Sequence, residues 1–288
     1  MNQSIVSWSC SATSRSVTGN GIPDHATGTF PNVNCPNTIR TTTVAASMPI
    51  QPVNTGTATR AIVVGYNMNG VKFDPGTAGT CDNSGSNCSL IGGSGSWSIE
   101  ALGQSNFNFG VDSSNAHVQP TGDYHYHGMP EGSLSGVGQA MKLVGFSIDG
   151  FPIYARYGRT VANDANSAIK LITSSFRLKS TPSANRPSTA TYPMGAFTQD
   201  YEYAAGTGDL DECNGRFGVT PEFPAGIYHY YITDSYPFIQ RCVKGTSTPG
   251  GQQDGGVMGM CQPGQTSMCC GDQVCDGPET HASCPSDC

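Results

Sequence analysis

Apolar residues in this chain come as short runs broken by Gly, Pro, Asn, Asp and Ser. No long Leu/Ala/Glu/Lys window holds the period of an amphipathic helix. Arg60-Ala61-Ile62-Val63-Val64-Gly65-Tyr66 reads as a short buried strand. Leu143–Ile148 and Phe151–Ala155 flank Asp149-Gly150, a dipeptide that predicts a hairpin with positive φ at both turn positions. Ala168–Ile172 and Ser175–Leu178 predict further strands, and one short helix is expected near Ala101 or Val161. The pattern predicts a mainly β fold, a sandwich or barrel of short antiparallel strands.

One seven-residue pattern occurs twice. Pro120-Thr121-Gly122-Asp123-Tyr124-His125-Tyr126 and Pro224-Ala225-Gly226-Ile227-Tyr228-His229-Tyr230 both read Pro-x-Gly-x-Tyr-His-Tyr, a turn followed by an aromatic strand. The echo predicts either two related sheets or two strands facing one site.

Composition supports the β reading and narrows the setting. Of the 288 residues, 36% are hydrophobic and only 12% charged, with Gly, Ser, Thr and Asn filling the difference. A net charge of -7 argues against nucleic acid or an anionic membrane surface as partner. No stretch is long and apolar enough to predict a membrane span. Twelve cysteines point to an oxidising compartment. Cys10, Cys35, Cys81, Cys88, Cys213 and Cys242 are dispersed, and pairing of neighbours predicts 10–35, 81–88 and 213–242. Cys261, Cys269, Cys270, Cys275, Cys284 and Cys288 crowd the end. Met1-Asn2-Gln3-Ser4 has no apolar segment behind it, so Met1 is read as standing where an export signal was removed, and the protein is expected outside the cell or at its surface. Residues 1–245 are expected to form one domain, 246–260 a Gly/Gln/Ser/Pro linker, and 261–288 a small disulfide module.

The histidines carry the candidate chemistry. On a strand, His125 and His127 point the same way, so their imidazoles can converge on one ion. His117 lies across the Pro120–Gly122 turn, on what would be the neighbouring strand. The second copy of the pattern offers His229, and the Gly19–His25 turn region offers His25. An all-imidazole set suits copper or zinc; the tyrosines alongside favour copper, with zinc as the alternative. Carboxylates are sparse. Asp24 and Glu212 are candidate general bases, and Asp149, Asp211 and Glu212, with Tyr124 and Tyr126, are candidates to orient the imidazoles. Against all of this stands the plain reading that Tyr and His on strands are core or surface residues. No nucleophile elbow or phosphate-cradling loop occurs.

The segments Asn20–His25, Asn115–Gly128, Leu143–Tyr154 and Leu210–Gly215 together resemble the YHYH domain family, over about residues 18–245. The resemblance supplies motif positions, namely His25, His117, His125, His127, Asp149, Glu212 and His229, rather than a reaction. The chain departs from the family pattern at Asn214, Phe217 and Tyr231, where other members carry more histidines, which implies a reduced site. The tail is similar to small Cys-rich modules of secreted proteins; Asp272, Asp276, Glu279 and Asp287 could hold calcium there, although the spacing is not that of an EF-hand loop.

The expectation is therefore a secreted metal-binding protein, copper favoured, that sequesters or delivers its ion. Two alternatives stay open. One is an extracellular metalloenzyme on the same site, either a copper oxidase or a zinc-type hydrolase. The other is a structural or adhesive module that attaches to a cell surface or extracellular matrix through its tail.

Overall fold

The computed structural model describes residues 3–247. The expected linker beyond 247, the Cys-rich module and its calcium candidates lie outside those residues. The fold is mainly β and sandwich-like, with no closed barrel and no α-helix among the described residues. Ala101 and Val161 sit in bends and turns rather than in the helix expected there. The short helical turns are Glu131–Leu134 and Thr198–Asp200. Around Ala101 and Val161, Gly and Ser neighbours leave no apolar stripe long enough to hold a helix to the core. No helix among the described residues is long and apolar enough to cross a membrane.

An eight-stranded sheet organises the molecule. In spatial order its strands are Ala116–Val118, Tyr124–Tyr126, Lys72–Phe73, Gly65–Asn67, Lys142–Ser147, Pro152–Ala155, Ile227–Ile232 and Gly215–Gly218. Every pairing is antiparallel except two. Tyr124–Tyr126 runs parallel to Lys72–Phe73, and Ile227–Ile232 runs parallel to Pro152–Ala155. A parallel pairing requires a long crossover, and the two crossovers add two small cores. Trp97, Ile99 and Phe109 of the first pack with Phe197 of the second; Ile172 and Leu210 of the second pack with the strand residues Tyr154 and Tyr231. A three-stranded sheet, Val6–Cys10, Ser14–Gly19 and Val44–Pro49, lays Val17, Ala46 and Met48 into the same core as Phe73, Ile148 and Phe151.

The eight strands form two halves of identical topology. Gly65–Asn67, Lys72–Phe73, Ala116–Val118 and Tyr124–Tyr126 are matched in chain order and pairing by Lys142–Ser147, Pro152–Ala155, Gly215–Gly218 and Ile227–Ile232. The halves meet antiparallel at Tyr66 opposite Phe146, with Gly145 opposite Asn67 and Ser147 opposite Gly65. This register is that of an approximate two-fold axis through the Tyr66–Phe146 pair.

Asp149-Gly150 does turn a hairpin, but only Gly150 has positive φ, at 89°. Gly150 N–H donates to Ser147 O at 2.8 Å. The Asp149 carboxylate is buried and accepts from Tyr230 Oη at 2.6 Å and Gly245 N at 2.9 Å. The aspartate thus ties the turn to the core. The Arg60–Tyr66 run divides: Arg60 ends the exposed strand Asn54–Arg60, Ile62 is exposed, and only Gly65-Tyr66 enters the sheet. Disulfides join Cys81 to Cys88 and Cys213 to Cys242, but Cys10 and Cys35 are free thiols. Their expected bridge does not form because Cys10 is exposed at the end of its strand while Cys35 is buried against the Val118 carbonyl, 3.4 Å away.

Candidate metal centre

The hairpin Ala116–Val118/Tyr124–Tyr126 builds the centre. Its turn is closed by Gly122 N–H donating to Gln119 O at 2.9 Å, with Gly122 at φ 96°. A residue with a Cβ would be strained at that angle. The register sets His117 directly opposite His125, so both side chains rise from one face. His127, two residues on, follows on the same face. His127 N–H is fixed to Asn115 O at 2.8 Å.

Three imidazoles meet as a result. His125 Nε2 lies 3.0 Å from His127 Nε2, which lies 3.0 Å from His117 Nε2. These are the residues among those described that come together with metal-ligand geometry. His125 and His127 are each 2% exposed, while His117 keeps an edge to solvent. Burial holds all three pKa values below the ordinary histidine value. For His125 and His127 the fall is large, and the neighbouring imidazoles add to it. The cluster is therefore neutral near pH 7.

Hydrogen-bond accounting shows what such a cluster lacks. His117 Nδ1 is 2.7 Å from Phe109 O, and His125 Nδ1 is 3.4 Å from Asp123 O. A carbonyl only accepts, so each Nδ1 carries the proton and each Nε2 presents a lone pair. His127 can place at most one proton between these two lone pairs, and its Nδ1 meets only the Pro75 carbonyl, outside good hydrogen-bond geometry. Acceptors converge in excess of donors inside a buried space, and a cation removes the imbalance. An ion bound at about 2.0–2.1 Å in a tetrahedral site would hold its nitrogens about 3.3 Å apart; the two 3.0 Å spacings lie within a few tenths of an ångström of that, and all three ligand atoms lie within 4.8 Å of one another.

The other nominated residues lie elsewhere. His229 is five strands away from Tyr124–Tyr126 in the sheet, about 24 Å by strand spacing. It is bonded to Ile227 O at 2.9 Å and Tyr231 Oη at 3.1 Å. The echoed motifs are thus equivalent strands of one sheet, neither two sheets nor two walls of one site. His25 sits on the opposite face, with Nδ1 on Ala26 O and Nε2 2.6 Å from Tyr126 Oη. Tyr124 and Tyr126 alternate away from the imidazoles into the core, where Tyr124 Oη donates to Asp112 at 2.7 Å and Asn69 Nδ2 donates to Tyr126 Oη at 3.0 Å. Neither orients the cluster. Asp149 and Asp211 serve Tyr230 and Tyr228 instead. Glu212 pairs with Lys244, and Asp24 accepts from Asn69. Neither of these candidate bases touches the imidazoles.

The groups that do adjoin the cluster were not apparent in the sequence. The Phe109 and Asp123 carbonyls fix two rings. Lys72 stands beside His125 in the parallel register and donates to Gln119 Oε1 at 2.8 Å, while Gln119 donates to Asp74 at 3.2 Å. Backbone carbonyls carry no side-chain signal, and a parallel partner reached through a long crossover leaves no local pattern. The Asp112-x-x-Asn115 turn that anchors His127 was the one legible cue, since Asn favours the left-handed conformation seen there, φ 55°.

Compared with known families, residues 45–245 match the family described as YHYH protein. No curated protein and no solved structure matches the chain.

Proposed function

The chain belongs to the YHYH protein family, a name that records a motif and not a reaction, and from the site itself we propose that it is a metal-binding protein whose ligands are His117, His125 and His127. The convergence of three neutral Nε2 atoms with too few protons between them carries this reading. Imidazole donors suit copper or zinc; Tyr124 and Tyr126 point into the core and away from the rings, so they do not choose between the two ions. The two disulfides support export to an oxidising compartment, where the protein would sequester or deliver its ion.

A second reading rests on the ligand count. Three protein donors leave a coordination position for water or substrate, and His117 keeps that side of the cluster near solvent. A metalloenzyme on this centre would draw its polar groups from Lys72, which stands beside His125, and from Gln119 and Asp74, bonded to it in turn, rather than from Glu212 or Asp24.

Metal analysis of the untagged full chain after incubation with Cu or Zn and desalting tests the proposal. One ion per chain is expected, lost in His125→Ala/His127→Ala. A wild-type protein free of stoichiometric metal, or a double variant that retains it, overturns the assignment. Water exchange at the bound ion, read by relaxation of solvent protons with Cu(II), separates an open position from a closed one.

A further inference from the structure

The two halves of the sheet agree in detail, so each residue of the His cluster has a counterpart. Asn115 and Asn214 both adopt positive φ, 55° and 57°. Their N–H groups donate to Asp112 O and Asp211 O, each at 3.0 Å, and their carbonyls accept from His127 N and Tyr231 N at 2.8 and 2.9 Å. Tyr124 donates to Asp112, and Tyr228 donates to Asp211. Tyr126 Oη is held by Asn69, Tyr230 Oη by Asp149. His117 stands opposite His125 as Arg216 stands opposite His229. Positions 117, 125 and 127 of the first half are therefore positions 216, 229 and 231 of the second.

The second cluster solves the same electrostatic problem without an ion. His229 Nδ1 is 2.9 Å from Ile227 O, so its Nε2 is an acceptor, as in His125. Tyr231 Oη, 3.1 Å from that Nε2, supplies the proton, and Arg216 Nη2 donates to the same phenol oxygen at 3.3 Å. The guanidinium also lies over the Tyr231 ring, 5.2 Å from its centroid. Room for this pair comes from Gly158, where a Cβ would fall 2.2 Å from Tyr231 Oη and 2.8 Å from Arg216 Nη2. Imidazole, phenol and guanidinium thus form a chain in which each lone pair meets a donor.

We infer that the Arg216–His229–Tyr231 cluster is a second metal position of the same construction, filled by the Arg216 guanidinium in place of an ion, and that histidines at positions 216 and 231 would make it take a borderline transition-metal ion. The inference rests on the metal-binding reading of the first cluster only for the class of ion. Two features favour the exchange. Arg216 Nε has no hydrogen-bond partner, so the exchange gives up only the Nη2 bonds to Arg159 O and Tyr231 Oη, and the backbone anchors at Asn214 and Ile227 are already those of the first site.

The test is metal stoichiometry of the full chain with Zn(II) and with Cu(II). Arg216→His/Tyr231→His is expected to raise the ratio from one ion per chain to two. In a His125→Ala/His127→Ala background it is expected to give one, at the second site. A folded variant whose ratio equals that of its parent overturns the inference and leaves the first site standing. A wild type without metal beside a variant that binds one ion overturns the first reading and supports this one. The reciprocal variant His117→Arg/His127→Tyr covers the case in which the first variant fails to fold. It should bind no ion at the first site and be at least as stable as metal-free wild type; lower stability than metal-free wild type would overturn the inference.

Discussion

A core histidine and a ligand histidine respond differently to deletion, and His127→Ala distinguishes them. In the metal-free protein, truncation opens a cavity and removes apolar ring contacts, a loss of about 1–2 kcal/mol on the scale of partial side-chain burial. It also removes a ring whose Nε2 faces two other imidazole nitrogens, and the space it leaves admits a water that can donate to both. Relief of one unsatisfied buried group returns about 1–3 kcal/mol. The two nearly cancel, so the metal-free variant should lie within about 1 kcal/mol of metal-free wild type. With metal the balance changes. An ion at 100 times its dissociation constant stabilises the wild type by about 2.7 kcal/mol, which raises Tm by roughly 5–10 °C for a domain of this size. The variant should show little of that shift. Differential scanning fluorimetry with and without Zn(II) or Cu(II), on both proteins, reads all four values. The reasoning fails if the metal-free variant drops by the 3 kcal/mol or more typical of a deleted core residue, or if it keeps the full metal-induced rise.

Three further outcomes follow from groups outside the centre. Burial lowers the His229 pKa from 6.5 to about 4, so the fold prefers the neutral ring; that preference, about 3 kcal/mol, is fully present above pH 6.5 and is lost as pH falls toward 4, and urea midpoints of wild type and His229→Leu should converge over that window. The Cys213–Cys242 bridge closes a separation of 29 residues and Cys81–Cys88 one of 7; loop entropy assigns them about 3–4 and about 2 kcal/mol, so Cys213→Ser/Cys242→Ser should lower stability more than Cys81→Ser/Cys88→Ser in chemical denaturation. Cys10 is exposed and Cys35 buried, so a thiol reagent followed by peptide mapping should label Cys10 in the native protein and Cys35 only after denaturation.

What could be read from the sequence was local. Alternation along a strand set His125 and His127 on one face, and the Pro120–Gly122 turn set His117 opposite. Both are short-range consequences of backbone geometry, and the structure brings these three rings together. The Asp149-Gly150 hairpin was legible for the same reason, although the role of the Asp149 carboxylate was not, because Tyr230 and Gly245 reach it from distant segments. Long-range relations were invisible. The Tyr-His-Tyr echo was plain as a string, yet only the sheet order shows that His229 lies on the far side of a two-fold axis. The same axis explains why Val64-Gly65-Tyr66 and Val144-Gly145-Phe146 look alike: a glycine in each leaves space for the backbone of the opposing strand, where a Cβ would fall 2.5 Å from Phe146 O or 2.1 Å from Tyr66 O. The expected Cys10–Cys35 bridge failed because adjacency in sequence carries no information about which side of a strand a thiol occupies.

The compactness of the His hairpin has a kinetic consequence. All three imidazoles lie between residues 117 and 127, whereas the parallel strand Lys72–Phe73 beside them is reached only through the 74–115 crossover. Contact between residues about ten apart forms within roughly 10–100 ns, far faster than a sheet dominated by distant pairings can close. On the metal-binding reading, an ion can then be captured by the hairpin before the rest of the sheet exists. It would act as a nucleus, holding Tyr124 and Tyr126 in register for the core that later covers them, and metal supply during folding would influence how fast the protein folds as well as how firmly it stays folded.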